Sequence, residues 1–405
     1  MRTSFYTFIV ILVCEICYSS DRVAYFVITE DKRLSAIAQE SEYFVKKYIE
    51  KRLYVPAEVS NRELAVFEDE MYRQNQEAAS SLIEGKKLYE EFKIDQCFFV
   101  FQKIINNLEK GSAAFEKSKD YQHALMYLGN IYHLKGEITS AKETFIKLLM
   151  YSSKYVPDAS YFPPDIIETF EQAKAEIKNL RRGTLQIIPK PEDAQVFLDG
   201  SFLGAGVFKV EDVFVGEHIV GIKKRGYLPY VRKVVVQPSL VEIVSPELVD
   251  FKEISERYEE ISKIREADIS GELLPVLKKY RKDTNSAIVV VVFVSGKVEN
   301  FSLTGYTYYN DKLVAYGDTS VTISKDDSRK KILKAKVEEL CNKILHENIK
   351  AQKPIDKISH KKFYTSWWFL GIVGATLVGA TTLGYILLNG GEEKEDKSGA
   401  LIISF

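Results

Sequence analysis

The sequence is poor in the residues that build reactive or metal-binding sites. Its 405 residues include four cysteines and two tryptophans. Gly200–Gly206 is rich in glycine, but it lacks the Lys-Ser/Thr pair that completes a phosphate-binding loop. No histidine stands at ligand spacing from a cysteine, a carboxylate or another histidine; the five are His123, His133, His218, His346 and His360. We therefore predict no catalytic residue, no cofactor and no metal, and expect that the chain is not an enzyme.

The net charge and the cysteine content are also low. The formal net charge of −1 argues against an electrostatic nucleic-acid binder. Hydrophobic residues make up 46%, enough for real cores, and the length suits two to four domains. Cys97 and Cys341 lie far apart inside helical patterns, so we expect buried thiols, with a disulfide as the alternative.

One long uncharged run stands out, Trp367 to Leu388. As a helix it would extend roughly 33 Å, enough to cross a hydrocarbon core of about 30 Å. Trp367 and Trp368 suit the membrane interface, and small residues four apart favour packing against a second helix. We predict a transmembrane helix at 367–388, with a homo-oligomer through it as a hypothesis. The predicted anchor residues are Trp367, Trp368, Gly371, Ala375, Gly379 and Leu388.

The N-terminus has the order of a secretory signal: Arg2, an apolar stretch, then small residues. We predict a signal peptide at 1–20, with an uncleaved anchor or a lipoprotein at Cys14 as alternatives. The lysines of the basic linker 351–366 would favour a cytoplasmic body by the positive-inside tendency. Because large domains translocate largely regardless of charge, we favour a body in the periplasm or exterior. The alternative is a tail-anchored cytoplasmic adaptor.

Periodicity divides the rest of the chain into a multidomain α plus β protein. We predict a strand–helix segment at 21–60, a helical domain at 61–181, an antiparallel β-sandwich at 183–237 and a helical linker at 240–282. A small α/β region follows at 284–350, and a tail at 389–405 follows the anchor. The strand Val23–Thr29 is a candidate to join the sheet of the 284–350 region.

Part of the helical domain resembles a tetratricopeptide repeat, a helix–turn–helix unit whose small residues allow close packing. The segment from Ala124 to Pro157 carries the resemblance. The concave face of such repeats is a standard peptide-binding surface. The residues that match are Leu128, Gly129, Tyr132, Gly136, Ala141 and Phe145.

The sandwich segment resembles the PEGA domain, a small bacterial envelope module. Here the Pro-Glu-Gly-Ala start is Pro191, Glu192, Asp193 and Ala194, so aspartate replaces glycine. The later matches are Asp199, Gly200, Gly204, Gly216, Glu217, His218, Gly226 and Tyr227. We treat these residues as structural, and we interpret Lys223–Arg225 as a solvated hairpin end.

Together these features favour a non-enzymatic scaffold of the bacterial inner membrane, with proteins of the cell envelope as partners. A glycan-binding surface protein is the alternative, because Tyr306, Tyr308, Tyr309 and Tyr316 cluster across one hairpin. Cross-strand packing is the interpretation of these tyrosines that we prefer.

Overall fold

The computed structural model describes residues 22–345, except 53, 59–61, 263, 265–270, 272 and 324–327; side chains are also left out at 62–69, 259, 260 and 262. The predicted signal peptide, basic linker, transmembrane helix and tail all lie outside this range, as do the six anchor residues. Within the described residues, no helix is both long enough and apolar enough to cross a membrane.

The described helices and strands form three groups: an α/β region built from both ends of the described chain, a helical region and a β-sandwich. In chain order they are β1 (Arg22–Ile28), α1 (Ser35–Lys51), β2 (Val55–Ala57), α2 (Arg62–Glu90), α3 (Ile94–Glu109), α4 (Lys119–Leu134), α5 (Ile138–Tyr151), α6 (Pro164–Glu176), β3 (Arg182–Ile187), β4 (Gln195–Leu198), β5 (Ser201–Ala205), β6 (Phe208–Phe214), β7 (Gly216–Lys223), β8 (Tyr230–Val236), β9 (Val241–Val244), α7 (Lys252–Ser262), α8 (Leu274–Asp283), β10 (Ile288–Lys297), β11 (Asn300–Tyr309), β12 (Lys312–Thr322) and α9 (Arg329–Ile344).

One sheet joins the two ends of the described chain, in the order β12-β11-β10-β1-β2. β1 pairs in parallel with β10 over six residue pairs, from Val23 with Ile288 to Ile28 with Phe293, which confirms the predicted pairing. The apolar run of β10 is buried from Ile288 to Val294, as expected for a strand covered on both faces. Helices α1 and α9 cover one face, and Tyr280 of α8 meets Phe26 on the other. We call this part the α/β region.

The helices α2 to α6 share a second core. The pair α4 and α5 forms the helix–turn–helix that the sequence predicts, with Gly136 in the turn at φ +77°. Gly129 lies against the ring of Phe145, and a Cβ at that position would lie 2.4 Å from Cε1 of the ring. Glycine therefore sets the close approach of the two helices.

The sandwich has a four-stranded sheet, β5-β4-β7-β8, and a three-stranded sheet, β6-β3-β9. Apolar residues at every second position of its strands predict an inward face, and its core holds such residues, including Leu185, Val196, Val220 and Val236. Asp199 and Gly200, at φ +49° and +70°, form the predicted turn between β4 and β5.

Two predictions about this part of the chain are wrong. The segment from 240 is not helical at its start, because β9 pairs in parallel with β3 and extends the sandwich. The sandwich is therefore not wholly antiparallel. β9 is easily missed from sequence because it is an edge strand: Val241 and Ile243 are exposed, and only Val244 is buried.

The tyrosines of the β11–β12 hairpin pack against neighbouring strands and helices of the fold. Tyr306 and Tyr308 are buried, and the rings of Tyr306 and Tyr316 lie 5.1 Å apart across paired strands. The cross-strand interpretation is confirmed, and these rings do not form an aromatic row on the surface. Cys97 and Cys341 are free, buried thiols, as predicted.

Candidate functional site

The end of the β7–β8 hairpin, Lys223–Arg225, is not solvated as the sequence predicts. It inserts between β1, α1 and α7, and only 7% of the Arg225 side chain is exposed. Charge runs at hairpin ends usually face water, so a buried one marks a contact with another part of the chain. Here the contact joins the sandwich to the α/β region.

Arg225 is held by two carboxylates and by one backbone carbonyl. Its Nη2 lies 2.6 Å from Oε1 of Glu42, and its Nε lies 3.5 Å from Oε2 of Glu58. Its Nη1 donates to the carbonyl of Tyr25 at 2.6 Å. Because β2 pairs with β1 only as far as Ala24, this carbonyl lies just beyond the ladder, and the guanidinium takes the place of a strand partner.

Two aromatic rings complete the surroundings of Arg225. The guanidinium carbon lies 4.6 Å from the ring centre of Tyr25 and 4.8 Å from that of Tyr258, within range of a cation–π contact. The hydroxyls of Tyr258 and Tyr280 are 2.8 Å apart. Burial raises the pKa of all three tyrosines, which keeps their hydroxyls neutral and able to donate.

Glu58 also binds Lys46 of α1, at 3.2 Å, and accepts a hydrogen bond from the hydroxyl of Tyr25. Burial alone would raise the pKa of Glu58, but the positive charges of Lys46 and Arg225 outweigh it and lower that pKa. The negative charge of Glu58 in turn raises the pKa of Lys46. The pair is therefore ionised at neutral pH.

Lys223 lies beside these groups and borders a cavity of about 120 Å³. Its ammonium is 5.0 Å from the ring centre of Phe197 and 5.6 Å from that of Phe115. Burial and the positive charge of Lys46 lower the pKa of Lys223 to about 7. We call the set Tyr25, Glu42, Lys46, Glu58, Lys223 and Arg225 the junction cluster. Sequence reasoning missed it, because its members come from two distant stretches of chain, residues 25–58 and 223–225.

The motif residue Asp193 also belongs to this side of the sandwich. Its carboxylate binds Lys224 at 2.5 Å and accepts a hydrogen bond from the hydroxyl of Ser35 at the start of α1. The aspartate that replaces glycine in the Pro-Glu-Gly-Ala start thus makes a contact that glycine cannot make. Ala194, the next residue, is fully buried in the sandwich core.

At the opposite end of the sandwich, His218 is buried and both of its ring nitrogens face acceptors. Nδ1 lies 2.7 Å from the Asp199 carboxylate, and Nε2 lies 2.8 Å from the carbonyl of Phe214. Both nitrogens donate only when the ring is an imidazolium. Burial opposes that charge, but the hydrogen bond to Asp199 outweighs it and raises the pKa of His218. The other Asp199 oxygen accepts from the Ile219 amide at 2.8 Å.

The helical region meets this end of the sandwich through Glu109, whose side chain is 3% exposed. Its carboxylate binds Lys147 of α5 at 2.7 Å and Lys233 of β8 at 3.1 Å. It also accepts a hydrogen bond from the Tyr121 hydroxyl at 2.8 Å. The motif residue Glu217 reaches the same lysine, Lys147, at 3.2 Å.

The remaining motif residues serve turns and packing. In the sandwich, Pro191 and Glu192 precede β4, Gly204, Gly216 and Gly226 have positive φ, and Tyr227 follows Gly226 in a turn. In the helices, Leu128, Ala141 and Phe145 are buried, and the ring of Tyr132 meets that of Phe98 at 5.4 Å. His133 lies against Thr169 and Asp165 of α6.

Among the described residues, no group of three or more His, Cys, Asp or Glu side chains is placed to hold a metal ion. The chemistry of the junction cluster is that of buried ion pairs and neutral tyrosines; the pKa of Glu58 is lowered by its cations, whereas burial raises the pKa of Glu42. The cluster is suited to holding two parts of the chain together, and Lys223 is the one member that borders open space without an ion pair within the described part.

Comparison with known families assigns one part of the chain. A family model of the PEGA domain matches residues 182–245. The match begins at β3 and includes β9, so this segment is a PEGA domain that extends beyond the 183–237 predicted from sequence. It indicates a surface or extracellular-type module. The comparison with curated proteins gave no match, and neither did the comparison with solved structures.

Proposed function

We propose that this chain is a non-enzymatic scaffold of the bacterial cell envelope, anchored by residues 367–388 with its body in the periplasm or exterior. The observation that carries the proposal is that the PEGA domain is fixed to two neighbours at once. The described residues fall within one compact unit. A module held in this way presents its outer surface in one orientation, which suits assembly of partners more than independent capture.

The four-stranded sheet of the PEGA domain packs against the neighbouring parts of the chain. Phe202 stacks on Tyr43 of α1 with ring centres 3.8 Å apart, and Phe197 meets Phe115 at 5.5 Å. In the three-stranded sheet, Val241 and Ile243 of the edge strand β9 are exposed. A partner of the PEGA domain would therefore contact the three-stranded sheet or its edge strands.

The helical region offers a second surface. Ile83 lies on α2, Phe92 lies in the turn between α2 and α3, and Phe99 lies on α3. Their exposed fractions are 73%, 81% and 68%. Large apolar side chains this exposed and this close in the chain are typical of contact with another protein. The close packing of α4 on α5 at Gly129 supports the tetratricopeptide-like assignment, which we include in the proposal.

The glycan-binding alternative loses its main support, because the tyrosines of the β11–β12 hairpin pack between strands. The non-enzymatic part of the proposal rests on the matched ion pairs of the junction cluster and on His218, whose ring nitrogens are both engaged. Self-association through the anchor remains a proposal drawn from the spacing of Gly371, Ala375 and Gly379.

Site-specific photo-crosslinking in cells tests the scaffold directly. A photoreactive residue at Phe99 should give a discrete crosslinked band in the membrane fraction, whereas the same residue at Lys334, an exposed position on α9 away from both proposed surfaces, should not. Protease added to intact spheroplasts should digest the body. Crosslinks that are absent or equal at both positions would contradict the scaffold, and full protection from protease would contradict export.

A further inference from the structure

At the PEGA joint, where the sandwich meets the α/β region, the cations lie beside carboxylates, with a single exception. Each cation but one has a carboxylate within ion-pair distance, and Lys223 has none among the described residues. The matched pairs are Lys46–Glu58 at 3.2 Å, Lys47–Glu50 at 2.7 Å, Lys224–Asp193 at 2.5 Å and Arg225–Glu42 at 2.6 Å. Lys47 also lies 3.8 Å from Glu116, and Arg225 lies 3.5 Å from Glu58. Lys223 is therefore the cation of this group that has no ion pair of its own among the described residues.

The Lys223 ammonium borders a space large enough for a ligand. The cavity of about 120 Å³ is bordered by Lys46, Lys223, Tyr43 and Phe115. It has room for a few waters or for one small ion, since a water occupies about 30 Å³ in the liquid. A half-buried ammonium without a counter-ion is costly, and aromatic rings at 5.0 and 5.6 Å offset only part of that cost.

We propose that this cavity binds a small oxyanion group, with the Lys223 ammonium as its counter-charge. Lys46 also lines the cavity and adds positive potential, while its own ion pair with Glu58 stays intact. The charge of Arg225 is already balanced by Glu42 and Glu58, and its Nη1 donates to the Tyr25 carbonyl, so we assign the ligand to Lys223. An anion bound here would sit at the joint between the PEGA domain and the α/β region and would stabilise that joint.

Binding would be coupled to proton uptake by Lys223, whose pKa is about 7. The charged and titratable groups that face it from the packed elements are Tyr43, Lys46, Lys47, Glu50, Glu42 and Glu58. A bound anion raises the pKa of Lys223. The affinity for an anion of constant charge should therefore fall about tenfold between pH 6 and pH 8, following the protonated fraction of the free lysine.

Calorimetric titration of the detergent-solubilised full chain tests this. Sodium sulfate is the probe, because its charge is constant over this pH range, and sodium chloride at equal ionic strength is the reference. Sodium acetate in a separate arm distinguishes a carboxylate ligand from a tetrahedral oxyanion. We expect saturable binding at one site, about tenfold tighter at pH 6 than at pH 8.

Two variants at Lys223 make the result specific. Lys223→Met should abolish the saturable binding, while Lys223→Arg should keep it and remove most of its pH dependence, because arginine stays charged. Lys209→Met, at an exposed position, should behave as the original chain. Sulfate or acetate binding that is absent, or that survives unchanged in Lys223→Met with native circular dichroism, would overturn the proposal.

Discussion

The PEGA domain meets its two neighbours through joints of opposite design. On the α/β side, one buried cation, Arg225, is surrounded by two carboxylates and two aromatic rings. On the helical side, one buried carboxylate, Glu109, is surrounded by two lysines and a tyrosine hydroxyl. The helical joint also relies on backbone contact, since a Cβ on Gly221 would lie 2.8 Å from the Ala114 carbonyl oxygen.

The difference shows how one small module is fixed at both ends. A planar guanidinium holds several fixed partners at once, so one residue organises the first joint. Flexible lysines need a rigid frame, and the close approach at Gly221 supplies it at the second. Variants at the two joints should therefore differ in how much stability they remove.

The largest effect is expected for Arg225→Met. The substitution leaves Glu42 and Glu58 buried without their shared cation, so the free energy of unfolding should fall by about 3–5 kcal/mol. Urea denaturation followed by circular dichroism measures it. Arg33→Met is the matched control, because Arg33 also pairs with a carboxylate, that of Asp31, but is 77% exposed; its loss should leave the stability almost unchanged. An equal loss of unfolding free energy in the two variants would show that Arg225 is not central to the stability of the joint.

Gly221→Val should have the second largest effect. The added side chain collides with the Ala114 carbonyl oxygen and the Phe115 ring, and overpacking of this kind costs about 1–3 kcal/mol. Thermal unfolding reports the change. Glu211→Val on the exposed strand β6 serves as the control, and a Gly221 variant as stable as this control would show that the helical joint does not need the close approach.

His218→Gln should cost about 1 kcal/mol, and only at low pH. The pKa of His218 is raised in the folded state, so its stabilising contribution is full below about pH 6.5 and is lost as pH rises through the raised value. The variant should match the original chain at high pH and be less stable at pH 6. Stability curves that stay parallel from pH 6 to pH 9 would rule out the imidazolium.

The smallest effect, opposite in sign, is expected for Lys223→Met in buffers without oxyanions. Because the pKa of Lys223 is lowered to about 7, its charge destabilises the fold below pH 7, and the penalty disappears as pH rises to about 10.5. The side chain is partly exposed, so a gain of only about 1 kcal/mol at pH 6 is expected. Destabilisation at pH 6, measured by urea denaturation, would contradict this account.

The sequence predicted the elements far better than the joints. Alternation of apolar residues predicts that Leu185, Val196 and Val220 face inward, and all three are buried in the sandwich core. The long apolar run of β10 likewise predicts a buried strand, and it is buried from Ile288 to Val294. These are local patterns, because burial on one face repeats every second residue. β9 was not predicted from the sequence, because an edge strand with exposed valine and isoleucine does not show this two-residue repeat.

The junction cluster had no local signal at all. Lys223 and Arg225 look like a solvated hairpin end until Glu42 and Glu58, far away in sequence, are placed beside them. Ion pairs between distant stretches leave no period in a single sequence, since each partner alone resembles a surface residue. A clue was present in Asp193, where a departure from the PEGA pattern coincides with a contact to Lys224 and α1.

The central claim is that the PEGA domain and the α/β region move as one body. Spin labels at Lys209→Cys and Lys51→Cys, both exposed positions, report the distance between them in the full chain. We predict one narrow distance distribution in the original background and a broad one after Arg225→Met. A broad distribution in the original background would contradict a fixed joint, and with it the scaffold that we propose.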